Sequence, residues 1–217
     1  MPIAPIAPYA VPGAADLPDN RVAWNVDPDR AVLLVHDMQN YFVEAYPADG
    51  PLAAVVPRID ALRGAFADAG APVVFSAQPP DQDPDDRGLL TDFWGSGLGA
   101  GAVDHRIIDE LAPRADDVVL TKWRYSAFQR TDLRERMREL GRDQLVITGI
   151  YAHIGCLMTA CEAFMQDVEA FFVADATADF SREEHLMALR WAAGRCAVTT
   201  TTDRVLDQVA GRVGVSA

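Results

Sequence analysis

Long apolar runs are missing from this 217-residue chain. A membrane-spanning helix needs roughly 20 consecutive apolar residues, so a transmembrane helix is excluded and no membrane partner is expected. Cysteine is scarce. Cys156, Cys161 and Cys196 are too few, and odd in number, for a disulfide framework. None stands in a C-x-x-C pair, and no histidine cluster lies nearby at zinc-ligand spacing, so a reducing cytoplasm is the expected location. Basic residues are in deficit, 19 Lys and Arg against 32 Asp and Glu, for a net charge of −13. That balance repels phosphate backbones, and no nucleic-acid partner is expected. It leaves room for a small anionic substrate, whose fate depends on local charge. The basic and apolar regions of a signal peptide are also absent from the start, MPIAPIAP. Its repeated prolines predict an extended arm over about 1–28, lying on the surface or against a neighbouring subunit.

What is present belongs to a packed domain. Half of the residues are hydrophobic and the mean hydropathy is +0.01, which rules out a disordered or collagen-like chain. The length predicts one domain spanning 1–217. From residue 30 onward, short β-branched runs alternate with segments of helical period. Strands are predicted at 31–36, 72–78, 118–122, 144–149, 170–174 and 197–201, and helices at 55–69, 106–111, 133–140, 155–166, 182–194 and from 203. Ser181-Arg182-Glu183-Glu184 reads as a capping box. Six strands joined by helical crossovers imply a three-layer α/β fold with a doubly wound, six-stranded parallel sheet. An eight-fold barrel would need two more units.

In such sheets ligands bind beyond the carboxyl ends of the strands, where strand order reverses. Asp37, Gln39 and Phe42 follow the first strand. Gln78 follows the second, with Arg87 further along its loop. Lys122, Arg124 and Tyr125 follow the third, and Tyr151, His153 and Gly155 the fourth. An acid, an amide, cations and a helix start therefore converge on one edge, as a catalytic cleft requires.

The segments AVLLVHDMQNYF, SAQPP, TKWRYSAF, GIYAHIGCLMTACEAF and VADATADFSREEHLMALRWAAGR resemble the isochorismatase family over nearly the whole chain. Within it, the chain looks like the vinyl-ether hydrolases that act on isochorismate or on 2-amino-2-deoxyisochorismate, in siderophore or phenazine (antibiotic) biosynthesis. The amidohydrolase branch of that superfamily uses an Asp-Lys-Cys triad. Its first two positions match Asp37 and Lys122, and the nucleophile's position falls on Gly155, which cannot attack a carbonyl. The resemblance therefore implies acid chemistry. Asp37 would donate a proton to the enolpyruvyl methylene carbon, and Lys122 would bind the pyruvyl carboxylate. By the same resemblance Arg87 and Gln78 belong to the binding pocket of a dicarboxylate. Tyr151, the Gly155 N–H and Tyr125 are candidates for the second carboxylate, and Phe42 and Trp94 for an apolar wall. Arg87 has a plainer alternative, a surface ion pair with Asp85 or Asp86.

Acid-catalysed hydrolysis needs no cofactor, and none is expected. Metal-dependent relatives carry an Asp and His pair after the second strand, where this chain has Ala77-Gln78-Pro79-Pro80, so no metal is expected either. Cys156 keeps a rival reading open, a cysteine amidohydrolase. One residue along a helix turns a side chain by about 100°, however, and so points it away from the cleft. His36 is expected on the opposite face from Asp37 by strand alternation, as a hydrogen-bonded structural residue. His153 is expected to be structural too, and His105 and His185 are read as helix-surface residues. GSGLGAG, residues 95–101, fails the context of a dinucleotide loop and is expected to form a flap over the cleft. Relatives of the enterobactin type carry a C-terminal carrier domain, and none is expected here. The family implies a homodimer. Whether the ring bears a 2-hydroxyl or a 2-amino group stays open.

Overall fold

Each predicted apolar run forms a strand in the computed structural model of the chain, which describes residues 3–99, 101 and 105–213. The strands are β1 (Ala31–His36), β2 (Val73–Ala77), β3 (Val118–Thr121), β4 (Gln144–Ile150), β5 (Glu169–Ala178) and β6 (Ala197–Thr200). All neighbours pair in parallel, in the order β3-β2-β1-β4-β5-β6. The chain thus winds outward one way from β1 and the other way from β4. The crevice between those two strands is the switch point where such sheets bind ligands.

Alternation along β1 builds the two cores. Leu33 and Val35 face one side, with Val55, Ile59, Leu62 and Phe66 of helix α1 (Leu52–Asp68). Val32 and Leu34 face the other, with Leu133 and Met137 of α2 (Leu133–Glu139), Ala160 of α3 (Leu157–Met165) and Leu189 of α4 (Arg182–Arg195). Val205 and Val209 of α5 (Thr202–Val213) join the first face. Both faces of the sheet are therefore covered, and its strands can be apolar throughout. Burying a phenylalanine such as Phe66, Phe75, Phe171 or Phe172 completely contributes roughly 1.5–3 kcal/mol each.

Element boundaries differ from expectation in four places. Helix α1 starts at Leu52, directly after Pro51, whose fixed φ suits helix entry. The predicted helix at 106–111 is only a 3-10 turn, Asp109–Leu111. Strand β5 runs four residues beyond its predicted end, because Asp175 looks like a terminus in sequence but is buried. Its Oδ1 accepts from the Thr202 N–H and hydroxyl at 2.7 and 2.9 Å, capping α5, and its Oδ2 pairs with Arg58 at 3.2 Å. The helix predicted from 155 opens with a π-helical turn, Ala152–Cys156, before α3. Half of the expected capping box at Ser181 forms: its Oγ accepts from the Glu184 N–H at 3.2 Å, while Glu184 Oε2 accepts from the Ser181 hydroxyl at 2.9 Å rather than from its backbone N–H.

The proline-rich segment lies on its own chain. The Ile6 N–H donates to the Ala45 carbonyl at 2.8 Å, and the Tyr9 hydroxyl accepts from the Asp179 N–H at 2.6 Å. Met1 and Pro2 fall outside the described residues. Asn20 exchanges hydrogen bonds with the backbone of Thr199 at 2.9 and 2.7 Å. It thereby satisfies groups on β6 that would otherwise lie open at the sheet edge.

Candidate active site

β1 ends at His36, and the next residue, Asp37, has φ 49°. A non-glycine residue in that left-handed region costs on the order of 1–3 kcal/mol and persists only where its surroundings hold it. Those surroundings are explicit. The Asp37 N–H donates to the Ser76 carbonyl at 3.1 Å. The Ser76 hydroxyl donates to Asp37 Oδ1 at 2.8 Å, and Lys122 Nζ stands 2.8 Å from Oδ2. The Lys122 N–H in turn donates to the Ala77 carbonyl at 2.9 Å. Three adjacent strand ends thus bring an acid, a hydroxyl and an ammonium to one point. Asp37 is 6% exposed and Lys122 2%. Taking both charges out of water is expensive, so this pair is poor evidence of stability and better evidence of function.

These groups line a cleft that also meets Gln78, Arg87, Tyr125, Tyr151 and Gly155. Phe42 and Trp94 line it as well, so the structure brings all nine candidate residues to one place. Gln39 braces the rim from below. Its Oε1 accepts from the Gln78 N–H at 2.7 Å, and its Nε2 donates to the Gln78 and His105 carbonyls at 2.9 and 2.6 Å.

Arg87 ends a short helical turn, Pro84–Arg87. Its Nε donates to the Gly95 carbonyl, while Nη1 is buried with no partner among the described residues. The alternative of an ion pair with Asp85 or Asp86 is not realised; Asp86 pairs with Arg130 at 2.5 Å. Burial works against the Arg87 charge and lowers its pKa. A desolvated guanidinium with an unused N–H is a site for an anion. Arg124 also lines the cleft, which therefore holds three cations and one carboxylate, Asp37.

The walls correct one expected contact. The Tyr151 hydroxyl donates to the Phe42 carbonyl at 2.9 Å, so its proton is committed there and Tyr151 presents its ring instead. The Tyr125 oxygen accepts from Trp94 Nε1 at 2.7 Å, which leaves its own O–H free to donate into the cleft. Phe180, which the sequence reading passed over, packs on Tyr151 with ring centres 4.3 Å apart. Ile3 of the proline-rich segment closes another side. Its place could not be read locally, since it reaches the cleft only because the segment folds back. Of the 95–101 loop, Gly97 and Leu98 border the cleft, and Ala100 lies outside the described residues.

Strict alternation would separate His36 from Asp37, yet their side chains approach to 3.7 Å, because Asp37 leaves the extended backbone. His36 is fully buried with Nδ1 3.0 Å from the Ile150 carbonyl. Burial pushes its pKa down to about 4. Cys156 is completely buried and its thiol pKa is driven upward, first by burial. Its Sγ lies 4.0 Å from the Thr148 carbonyl and the residue does not line the cleft.

Two histidines sit differently from expectation. His185 is not on a helix surface but buried, with Nδ1 3.2 Å from the Tyr9 hydroxyl and Nε2 3.0 Å from the Thr177 hydroxyl. His105 lies in a turn, half-buried. His153, Asp179 and Glu184 form one cluster with metal-ligand atom types. Asp179 there accepts from the His153 N–H at 2.7 Å, from His153 Nδ1 at 2.5 Å and from the Phe180 N–H at 2.8 Å. Those hydrogen bonds already engage both carboxylate oxygens, as in a brace for the turn after β5.

Comparison with known proteins gives the family and the fold. The Isochorismatase domain family matches residues 31–204. The chain is 61% identical over 210 residues to the "Isochorismatase" of Bacillus subtilis (strain 168), covering 96% of this chain and 67% of that one. It is 50% identical to the "Phenazine biosynthesis protein PhzD" of Pseudomonas fluorescens, covering 94% and 98%. Among solved structures, a cysteine hydrolase from Pseudomonas syringae pv. phaseolicola 1448A superposes with a TM-score of 0.81 at 26% identity, over 89% of this chain and 98% of that one.

Proposed function

Because this chain belongs to the isochorismatase family and is a hydrolase of that type, we propose that it cleaves the vinyl ether of isochorismate or of 2-amino-2-deoxyisochorismate. The products are pyruvate and either trans-2,3-dihydro-2,3-dihydroxybenzoate or trans-2,3-dihydro-3-hydroxyanthranilate. One observation carries this reading. The lysine-paired acid and Gly155 line the same cleft. Its described lining includes no serine, threonine or cysteine, so the cleft offers a carboxyl proton donor where a thiol or aliphatic hydroxyl nucleophile would be needed for acyl transfer.

The chemistry follows from that inventory. Protonated Asp37 delivers its proton to the terminal methylene carbon, and the C=C electron pair forms the new C–H bond. The oxocarbenium ion left behind is attacked by water, which returns a proton to the Asp37 carboxylate. The hemiketal hydroxyl then gives up its proton as its C=O bond forms, the bond to the ring-borne oxygen breaks, and that oxygen takes up a proton as pyruvate departs. Proton transfer to carbon is slow, so holding the acid in position contributes as much as supplying the proton.

Lys122 Nζ stands 2.8 Å from the Asp37 carboxyl, where its ammonium can also engage a substrate carboxylate. The unused Arg87 Nη1 and the Tyr125 O–H suit the second carboxylate. A cleft with a cationic excess also suits a dianionic substrate despite the acidity of the whole chain.

The test is pyruvate release from each compound, followed through lactate dehydrogenase. Turnover of at least one substrate is expected, and side-by-side rates identify the preferred ring substituent. Absence of pyruvate from both would overturn the reading.

A further inference from the structure

Gly155 adopts a backbone outside the left-handed region, so conformation does not require glycine there. Space does. A Cβ on residue 155 would overlap the His36 imidazole, with Cε1 nearest, Nε2 at 2.9 Å and Nδ1 at 3.0 Å. The ring has nowhere to go. It is fully buried, and its Nδ1 contacts the Ile150 carbonyl. Its backbone is held between Ser76 of β2 and Gly149 of β4. Gly149 has φ 101°, and a Cβ there would come within 2.7 Å of the His36 nitrogen. A carbonyl can only accept, so the ring donates from Nδ1 to Ile150, while Nε2 has no partner that meets hydrogen-bond geometry among the described residues, although the Tyr125 backbone stands near the ring. An aliphatic side chain would avoid that cost of burying an unpaired polar atom, so the imidazole's presence calls for a reason.

We propose that His36 determines which chemistry the cleft supports, by filling the volume that a side chain at position 155 would need. Position 155 lies in the turn leading into α3 and on the cleft that holds Asp37 and Lys122. A thiol placed there would be stabilised as a thiolate by the helix start and the ammonium. With His36 in place no such nucleophile fits, and the Asp37–Lys122 pair serves proton transfer alone. His36 is a specificity-determining residue that does not itself line the cleft. The chemical half of this inference rests on the ether-hydrolase reading, whereas the steric half stands independently.

A double-mutant cycle tests it. Gly155→Ala is expected to lower Tm by roughly 4–10 °C through overpacking. In a His36→Ala background, where the imidazole volume is free, the same substitution is expected to cost less than half as much. Should Gly155→Ala fail to fold, recovery of folded protein in the double variant is the expected result. A second pair reads the chemistry. The thiol introduced by Gly155→Cys should resist iodoacetamide while His36 is present and react once His36→Ala is added, with labelling that persists below pH 8. Equal Tm losses in both backgrounds, no recovery in either pair, or ready labelling with His36 in place would overturn the steric claim. Labelling that fades with falling pH as for an ordinary cysteine would overturn the chemical one. Neither readout measures pyruvate, so a wrong substrate assignment would leave both results interpretable.

Discussion

Gly97 lies directly against the guanidinium of Arg87. A Cβ at that glycine would stand 2.5 Å from the Arg87 Cζ and 2.9 Å from Nη2. The close approach seats the buried Arg87, whose Nη1 has no partner among the described residues, against the Gly97 backbone at the edge of the cleft. Gly97→Ala is therefore expected to displace Arg87 and raise KM about tenfold, with kcat changed much less, since a binding group moves and the acid does not. At φ 80° the new methyl should also cost about 1–2 kcal/mol of stability. Steady-state kinetics with a melting curve checks both. A variant with unaltered KM would show that Arg87 does not hold substrate.

Asp37→Asn preserves shape and the Ser76 contact but removes the transferable proton. Turnover is expected to fall by roughly 10²–10⁴, while an unreactive substrate analogue, titrated calorimetrically, still binds. Ser76→Ala should reduce turnover by a smaller factor, because Ser76 orients one carboxylate oxygen at 2.8 Å and Lys122 still holds the other. Wild-type turnover in Asp37→Asn would exclude it as the acid.

Treatment with iodoacetamide should leave hydrolysis intact. The half-buried Cys161 is expected to label first: its pKa is lowered, chiefly by its contact with Cys196, whose Sγ lies 4.0 Å away. Cys156, fully buried and with a raised thiol pKa, should label only on unfolding. Peptide mapping by mass spectrometry assigns the order, and inactivation that tracks Cys156 modification would revive the cysteine amidohydrolase.

Stability should decline on acidification from about pH 6.5. Burial holds the pKa of His36 near 4 and that of His185 near 3, below the ordinary 6.5. Between those values the unfolded chain binds protons that the folded one refuses, so stability rises with pH across that window and falls as pH drops through it. His153 runs the opposite way. Burial opposes its charge, but the Asp179 hydrogen bond and charge outweigh that and raise its pKa. Its contribution is therefore present below pH 6.5 and lost as pH rises through the raised value. Melting curves from pH 4 to 8 should show a shallower acid slope in His185→Gln than in wild type; identical slopes would contradict the assignment.

Strand positions were readable because each of the six carries a short apolar run, even at the edge strand β3, where Val119 is exposed. Where the reading stopped short, a polar residue had a distant partner. Asp175 ended β5 in sequence because nothing local reveals Thr202 and Arg58. His185 looked exposed because Tyr9 and Thr177 are far away in sequence or hidden on a strand. Ser76 and Gln39 stand inside the segments SAQPP and AVLLVHDMQNYF, but their contacts could not be read there; only the pairing of β1 with β2 brings Ser76 beside Asp37.

Periodicity and strand-end chemistry were enough to anticipate the layered sheet and the edge on which the cleft lies, which follow from nearest neighbours along the chain and from handed crossovers. The nine residues that meet there were implied by the resemblance to the isochorismatase family. The uses made of individual atoms were set by long-range packing. The Tyr151 hydroxyl is turned to Phe42, Arg87 is packed against Gly97, and the His36 ring is seated under Gly155. Each depends on close-packed contacts between segments remote in sequence, whose separations of a few ångströms no linear pattern encodes.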